Sequence, residues 1–180
     1  MAKPTVASDW LAGCSGCHMS LLDIDERIVK LVELVDLRST PITDFKVPDE
    51  KGVTVGILEG GINNSYNEHV AKQMRARSKI LVALGDCAVF GGIPAMRNFF
   101  TLEESLKRAY VDTPSTDESG KIPSSPELAK PTLVRAVHEV VKVDVFVPGC
   151  PPDADIIFYV LAELAQGRMP KLEKNNLMWN

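Results

Sequence analysis

The stretch WLAGCSGCHMSLLDIDE, residues 10–26, decides how the chain reads. It places Cys14 and Cys17 where an extended run, KPTVASDWL at 3–11, gives way to residues with helical spacing. Working outward, GVTVGILEG at 52–60, KILVALGD at 79–86 and VDVFVPG at 143–149 are β-branched runs that end in glycine or turn residues, the pattern of strands buried on both faces. Helical patterns lie between them. Leu21, Ile24, Ile28, Leu31, Val32 and Val35 predict a helix over 20–36, with charges opposite. A second is expected at 102–110, and a last at about 153–166, with Asp153 as N-cap after Pro151 and Pro152 and Gly167 as its stop. Strand and helix alternate, so the expected architecture is α/β. A doubly wound parallel sheet with helices on both faces satisfies right-handed crossovers better than an antiparallel layout.

Composition narrows the function. The 180 residues carry 20 basic and 24 acidic side chains, a net charge of -4, which gives no electrostatic reason to expect nucleic acid or an anionic membrane surface. No apolar run approaches the roughly 20 residues of a membrane span, and MAKPTVASDW has neither a signal-type apolar core nor paired arginines, so the expectation is a cytoplasmic protein with no membrane span. One domain over 1–180 is expected. Residues 112–131, with Pro114, Pro123, Pro126 and Pro131, predict a long loop ahead of a pattern that begins near Leu133; it serves either as a solvated excursion or as a docking segment.

Four cysteines, Cys14, Cys17, Cys87 and Cys150, are too few for a disulfide-stapled scaffold. Each follows the C-terminal end of a predicted strand, and in an open α/β sheet those ends share one edge, where ligands bind. Thiols far apart in sequence are therefore expected to meet. Gly13, Gly16, Gly85 and Gly149 stand beside them, allowing close backbone approach and inward-pointing N–H groups. An iron-sulfur cluster held by four thiolates suits ligands from distant loops. Zinc needs the same ligand number but usually takes short-spaced pairs, and a Cys14–Cys17 redox disulfide would leave two cysteines unexplained. Four inert, buried cysteines fit poorly with loops this rich in glycine.

Taken in order, CSGCHMSLLD (14–23), LEGGI (58–62), LGDCAVFGGIPAMRN (84–98) and VPGCPPDADII (147–157) resemble the small subunit of nickel-iron hydrogenases over nearly the whole chain. The resemblance implies a flavodoxin-like domain whose Cys14, Cys17, Cys87 and Cys150 hold one 4Fe-4S cluster, the one closest to a nickel-iron centre in a large subunit. Many members continue into a segment that binds two more clusters, and periplasmic members carry a twin-arginine leader. Neither feature is found here, so the resemblance narrows to the short, cytoplasmic, NAD-reducing form, whose partners are the large subunit and diaphorase subunits with iron-sulfur clusters and flavin. The implied role is electron relay, with no bond-breaking chemistry in this chain. A complex I-like or ferredoxin-linked subunit and a zinc-stabilised interaction domain are the alternatives. The complex I relative typically has adjacent cysteines where this chain has Cys-Ser-Gly-Cys, and Met19 stands where many hydrogenases have a glutamate.

Other residues carry smaller expectations. Glu59 ends a strand and should face the same crevice, as a proton carrier, a partner-orienting group, a helix-start anion or a plain surface residue. His18 is either a hydrogen-bonding neighbour of the cluster or an ordinary loop histidine. The Ser15 hydroxyl and loop N–H groups are expected donors to sulfur. His69 and His138 fall in helical patterns and read as surface or core residues. AVFGGIPAMRNFF at 88–100 is apolar enough for core or for a permanent subunit interface. The loop after the first strand, where a flavodoxin-like sheet binds FMN phosphate, is occupied by cysteines, so no FMN is expected.

Overall fold

The protein is described from a computed structural model covering residues 3–173. The chain runs β1 (Thr5–Trp10), α1 (Gly16–Leu22), α2 (Arg27–Leu34), β2 (Asp36–Ser39), β3 (Val53–Glu59), β4 (Ile62–Asn64), α3 (Ser65–Arg77), β5 (Ser78–Leu84), α4 (Asp86–Phe90), α5 (Leu102–Tyr110), β6 (Pro131–Arg135), β7 (Val145–Val147) and α6 (Ala154–Ala165). Two 3-10 turns, Ile93–Phe99 and Val137–Glu139, complete it.

Five strands form one parallel sheet in the order β2-β1-β3-β5-β7. Numbered within that sheet alone, the order is the flavodoxin-like one, with its switch point between β1 and β3. The four strands expected from the sequence are all present. Alternate residues of each face opposite ways, and two cores result. Val6, Val55, Ile57, Val82 and Val147 meet Ile24, Leu31, Ile157, Val160 and Leu164 on the α1, α2 and α6 side. Ala7, Leu58, Leu81 and Ala83 meet Val70, Ala71, Met74, Ala88 and Val89 on the α3 and α4 side.

The structure corrects three expectations. The helix expected over 20–36 is two helices, because residues 23–26 turn between them and Asp25 takes a left-handed φ of 54°. The periodicity survives the break because Ile24 and Leu31 still face the same core. The pattern beginning near Leu133 is an edge strand, β6, paired antiparallel with β4 in a small second sheet. The apolar run 88–100 divides: Ala88 and Val89 are core, but Phe90, Ile93, Met96, Phe99 and Phe100 are all exposed, Phe99 by 84%. Helix α5 spans the residues expected, with a capping box between Thr101 and Glu104. Asp153 caps α6 by accepting from the Asp155 N–H, and Gly167 follows with φ 74°. His69 lies in α3, and His138 lies in a 3-10 turn with its ring edge against Phe146. Residues 112–130 form turns and irregular loop, tied at their end to α3 where the Ser65 N–H donates to the Lys130 carbonyl at 2.9 Å. No helix among the described residues is long and apolar enough to cross a membrane.

The packing of α3 on the sheet depends on a missing side chain. A Cβ on Gly56 of β3 would stand 2.1 Å from Ser78 Oγ and 2.9 Å from Met74 Sδ. Gly56→Ala is expected to push α3 off β3 and cost about 1–3 kcal/mol of stability, as overpacking of a filled core does; the midpoint of denaturant unfolding measures it.

Candidate metal centre

Three loops leave the C-terminal edge of the sheet carrying all four cysteines. Cys14 and Cys17 follow β1, Cys87 opens α4 after β5, and Cys150 follows β7. All four are free thiols, Cys14 and Cys150 exposed, Cys17 and Cys87 partly covered.

Gly85, in the left-handed region at φ 83°, is where these loops touch. A Cβ there would lie 2.2 Å from Cys17 Sγ and 3.5 Å from the Gly149 carbonyl oxygen, so a bare Cα is what lets the first and last loops close on the β5 turn. Gly92 plays the same part around Cys87: a Cβ would meet its sulfur and backbone at 2.9 Å.

Hydrogen bonds then lock the loops together. The Gly85 N–H donates to the Val147 carbonyl at 2.7 Å and the Asp86 N–H to the Gly149 carbonyl at 2.9 Å. In return, the Gly149 N–H donates to Asp86 Oδ1 at 2.7 Å. Ser20 in α1 donates to the Pro152 carbonyl at 2.6 Å, binding the first loop to the last. The backbone supplies the donors seen at sulfur: the Gly16 N–H reaches Cys14 Sγ at 3.4 Å and the Ile93 N–H reaches Cys87. At Cys14 the donor is thus a glycine N–H rather than the hydroxyl of Ser15, which takes a left-handed φ of 63° and caps no helix.

The thiols sense one another. Burial pushes the Cys17 thiol far above the ordinary range, and the charges of Glu59, Cys87, Cys14 and Cys150 push it further. Cys87 is also raised, by burial first, against the Ile93 N–H, with Cys150, Cys14 and Asp86 adding to the rise. As thiolates the four sulfurs would repel one another in this half-covered cradle, and a cationic filling would stabilise them in that form. Among the described residues, no three His, Cys, Asp or Glu side chains stand close enough to share one metal ion. The donor set and the bare-Cα cradle fit a multi-iron cluster, which binds through four thiolates spread around a larger body.

Glu59 and His18 lie side by side beneath the first loop, and both are buried, Glu59 to 2% exposure. The surface reading of Glu59 and the ordinary-loop reading of His18 are therefore excluded. Glu59 Oε2 accepts from the His18 backbone N–H at 2.7 Å and stands 2.5 Å from its Nδ1, while His18 Nε2 faces Ser8 Oγ at 3.0 Å. The helix-start reading of Glu59 is the one realised, on α1. Sequence reasoning passed over Ser8, Ser20 and Asp86. Only Asp86 left a signal, as an acidic residue beside the third cysteine in a strand-end turn.

The profile of the family described as "NADH ubiquinone oxidoreductase, 20 Kd subunit" matches residues 14–164. The delta subunit of the NAD-reducing hydrogenase HoxS of Cupriavidus necator is 43% identical over 169 residues, 92% of this chain and 80% of that subunit. One subunit of the F420-non-reducing hydrogenase of Methanothermobacter marburgensis is 36% identical over 97% of this chain, which spans 58% of that relative's length. A crystal structure of an NAD+-reducing [NiFe]-hydrogenase in the H2-reduced state contains a chain that superposes with a TM-score of 0.94 at 37% identity, covering 99% of this chain and all of that one.

The Asp86 carboxylate is the buried bridge between the third and fourth cysteine loops. Asp86→Ala is expected to cost about 1–3 kcal/mol by stranding the Gly149 N–H, and Asp86→Asn, which keeps an acceptor oxygen, distinctly less. Thermal unfolding of the purified variants reads the difference.

Proposed function

The chain belongs to the NADH ubiquinone oxidoreductase 20 Kd subunit family and, within it, to the small subunits of NAD-reducing nickel-iron hydrogenases, and from that premise we propose that it is the electron-relay subunit of a cytoplasmic enzyme of that kind. The observation that carries the proposal is the meeting of Cys17, Gly85 and Gly149 at one point, which draws the thiol-bearing loops into a single cradle. Cys14, Cys17, Cys87 and Cys150 would hold one 4Fe-4S cluster. Such a group supplies one-electron transfer over a wide range of potentials set by charge, hydrogen bonds and solvent exclusion.

The chain's own residues set those conditions. The N–H groups of Gly16 and Ile93 donate to sulfur. Glu59 keeps a carboxylate close to Cys17, and negative charge there favours the low potential that a hydrogen–NAD couple requires. The exposed row of Phe90, Ile93, Met96, Phe99 and Phe100 leads away from Cys87. Arg97 holds this row by donating to the Thr132 carbonyl, and Asn98 by exchanging hydrogen bonds with Val134 at 2.8 and 2.9 Å. Aromatic side chains fixed in place but left in solvent suit a permanent partner, here the nickel-iron large subunit. The electrons would then pass on to a diaphorase with iron-sulfur clusters and flavin. No flavin is assigned to this chain, because the loop after β1 is given over to Cys14 and Cys17.

Anaerobically purified protein is expected to be brown, to bleach on dithionite and to contain about four irons per chain, with nickel arriving in a co-purifying partner. Replacing Cys17 or Cys87 by Ser is expected to lose most of the iron and the EPR signal of the reduced protein. A colourless zinc protein would overturn the cluster, and co-purification with a quinone-reducing assembly would move the chain to the respiratory branch of its family.

A further inference from the structure

Helix α1 begins without a cap of its own. Its N-cap residue is Ser15, a type that normally turns its hydroxyl back onto the first-turn N–H groups, but at φ 63° and ψ 12° the side chain makes no such bond. The first-turn donor that matters, the N–H of His18, is taken up from another element altogether: Glu59 Oε2, at the end of the central strand β3, accepts it at 2.7 Å. The same oxygen lies 2.5 Å from His18 Nδ1. His18 is thereby held at two points, backbone and ring, and a third contact, Nε2 to Ser8 Oγ at 3.0 Å, fixes the ring to β1. Trp10 closes the pocket with its ring edge-on to that of His18, centroids 5.7 Å apart.

Cys17 is the residue immediately before His18 in this turn, and its sulfur rests over Gly85. A one-residue lever therefore connects the Glu59 carboxylate to the sulfur. We propose that Glu59 is a positioning residue for Cys17, fixing the first turn of α1 from the neighbouring strand and setting its carboxylate beside the sulfur. Buried as deeply as it is, the carboxylate would be costly unless it were fully engaged. Its Oε2 is engaged by His18 at both backbone and ring. Ser8 and Glu59 lie on one face of the sheet by strand alternation, which places them with Val6 and Ile57 toward α1.

This inference rests on the cluster reading above, and the experiment separates the two. Wild type, Glu59→Gln and Glu59→Leu are purified with their partners and compared for iron content, EPR line shape and midpoint potential at one pH. Glu59→Gln keeps an acceptor oxygen and removes the charge: the line shape and iron content stay those of wild type and the potential moves up. Glu59→Leu removes both, and the line shape changes with the loss of at least about half of the iron, as disturbed outer-sphere partners weaken metal sites. A wild-type line shape in loaded Glu59→Leu, or a wild-type potential in Glu59→Gln, overturns the inference. If Glu59→Leu does not fold, the potential of Glu59→Gln decides alone. Wild type without iron would instead end the cluster reading.

Discussion

Every strand of a parallel sheet ends at the same edge, and this constraint organises the rest of the molecule. Successive crossovers return the chain to the same starting side, so β1, β3, β5 and β7 release their loops within reach of one another. Residues as distant as Cys14 and Cys150 need no long-range device to find each other. The sheet itself brings them to one rim, and what remains for the loops is fine placement.

That placement falls to buried polar side chains, because a loop has no ladder of backbone hydrogen bonds to hold it. Ser8, His18, Ser20, Glu59 and Asp86 are all buried at the cysteine edge or just beneath it. Each is engaged with another loop or strand rather than with its own neighbours: Ser20 with Pro152, Asp86 with Gly149, Glu59 with His18. Buried groups of this kind are costly when unpaired and specific when paired, so they select one arrangement of the loops among many that an apolar core would tolerate equally.

Much of this was legible in the sequence. The buried strands announced themselves because both faces of a central parallel strand must be apolar, and the cysteines because glycine beside a strand end marks close approach. The doubly wound parallel sheet followed from alternation and handedness, and the membership of the family from four motifs in register. Strand β2, DLRS, was illegible because an edge strand with an exposed side needs no apolar run. Strands β4 and β6 are short and pair across a long stretch of chain, which leaves no local pattern. The break at residues 23–26 was hidden by apolar residues that keep helical spacing on both sides of it. The pairing of His18 with Glu59 was out of reach for a different reason: each residue had a local signal, but only their distance says that the one explains the other.

The two flanks of the cysteine edge answer different demands. On the α1 side the flank is sealed beneath the first loop, with His18 and Glu59 buried and the Trp10 ring edge-on to that of His18. On the α4 side the chain turns outward, and Phe90, Phe99 and Phe100 stand in solvent on a segment pinned by Arg97 and Asn98. A sealed flank lowers the local dielectric and makes each fixed charge and N–H donor act more strongly on the sulfurs. An apolar, preorganised flank gives a partner an anchor at little ordering cost. The relay proposed above needs both conditions at once, a protected core and a close neighbour, and the two flanks of the cysteine edge lie on opposite sides of the rim of one parallel sheet.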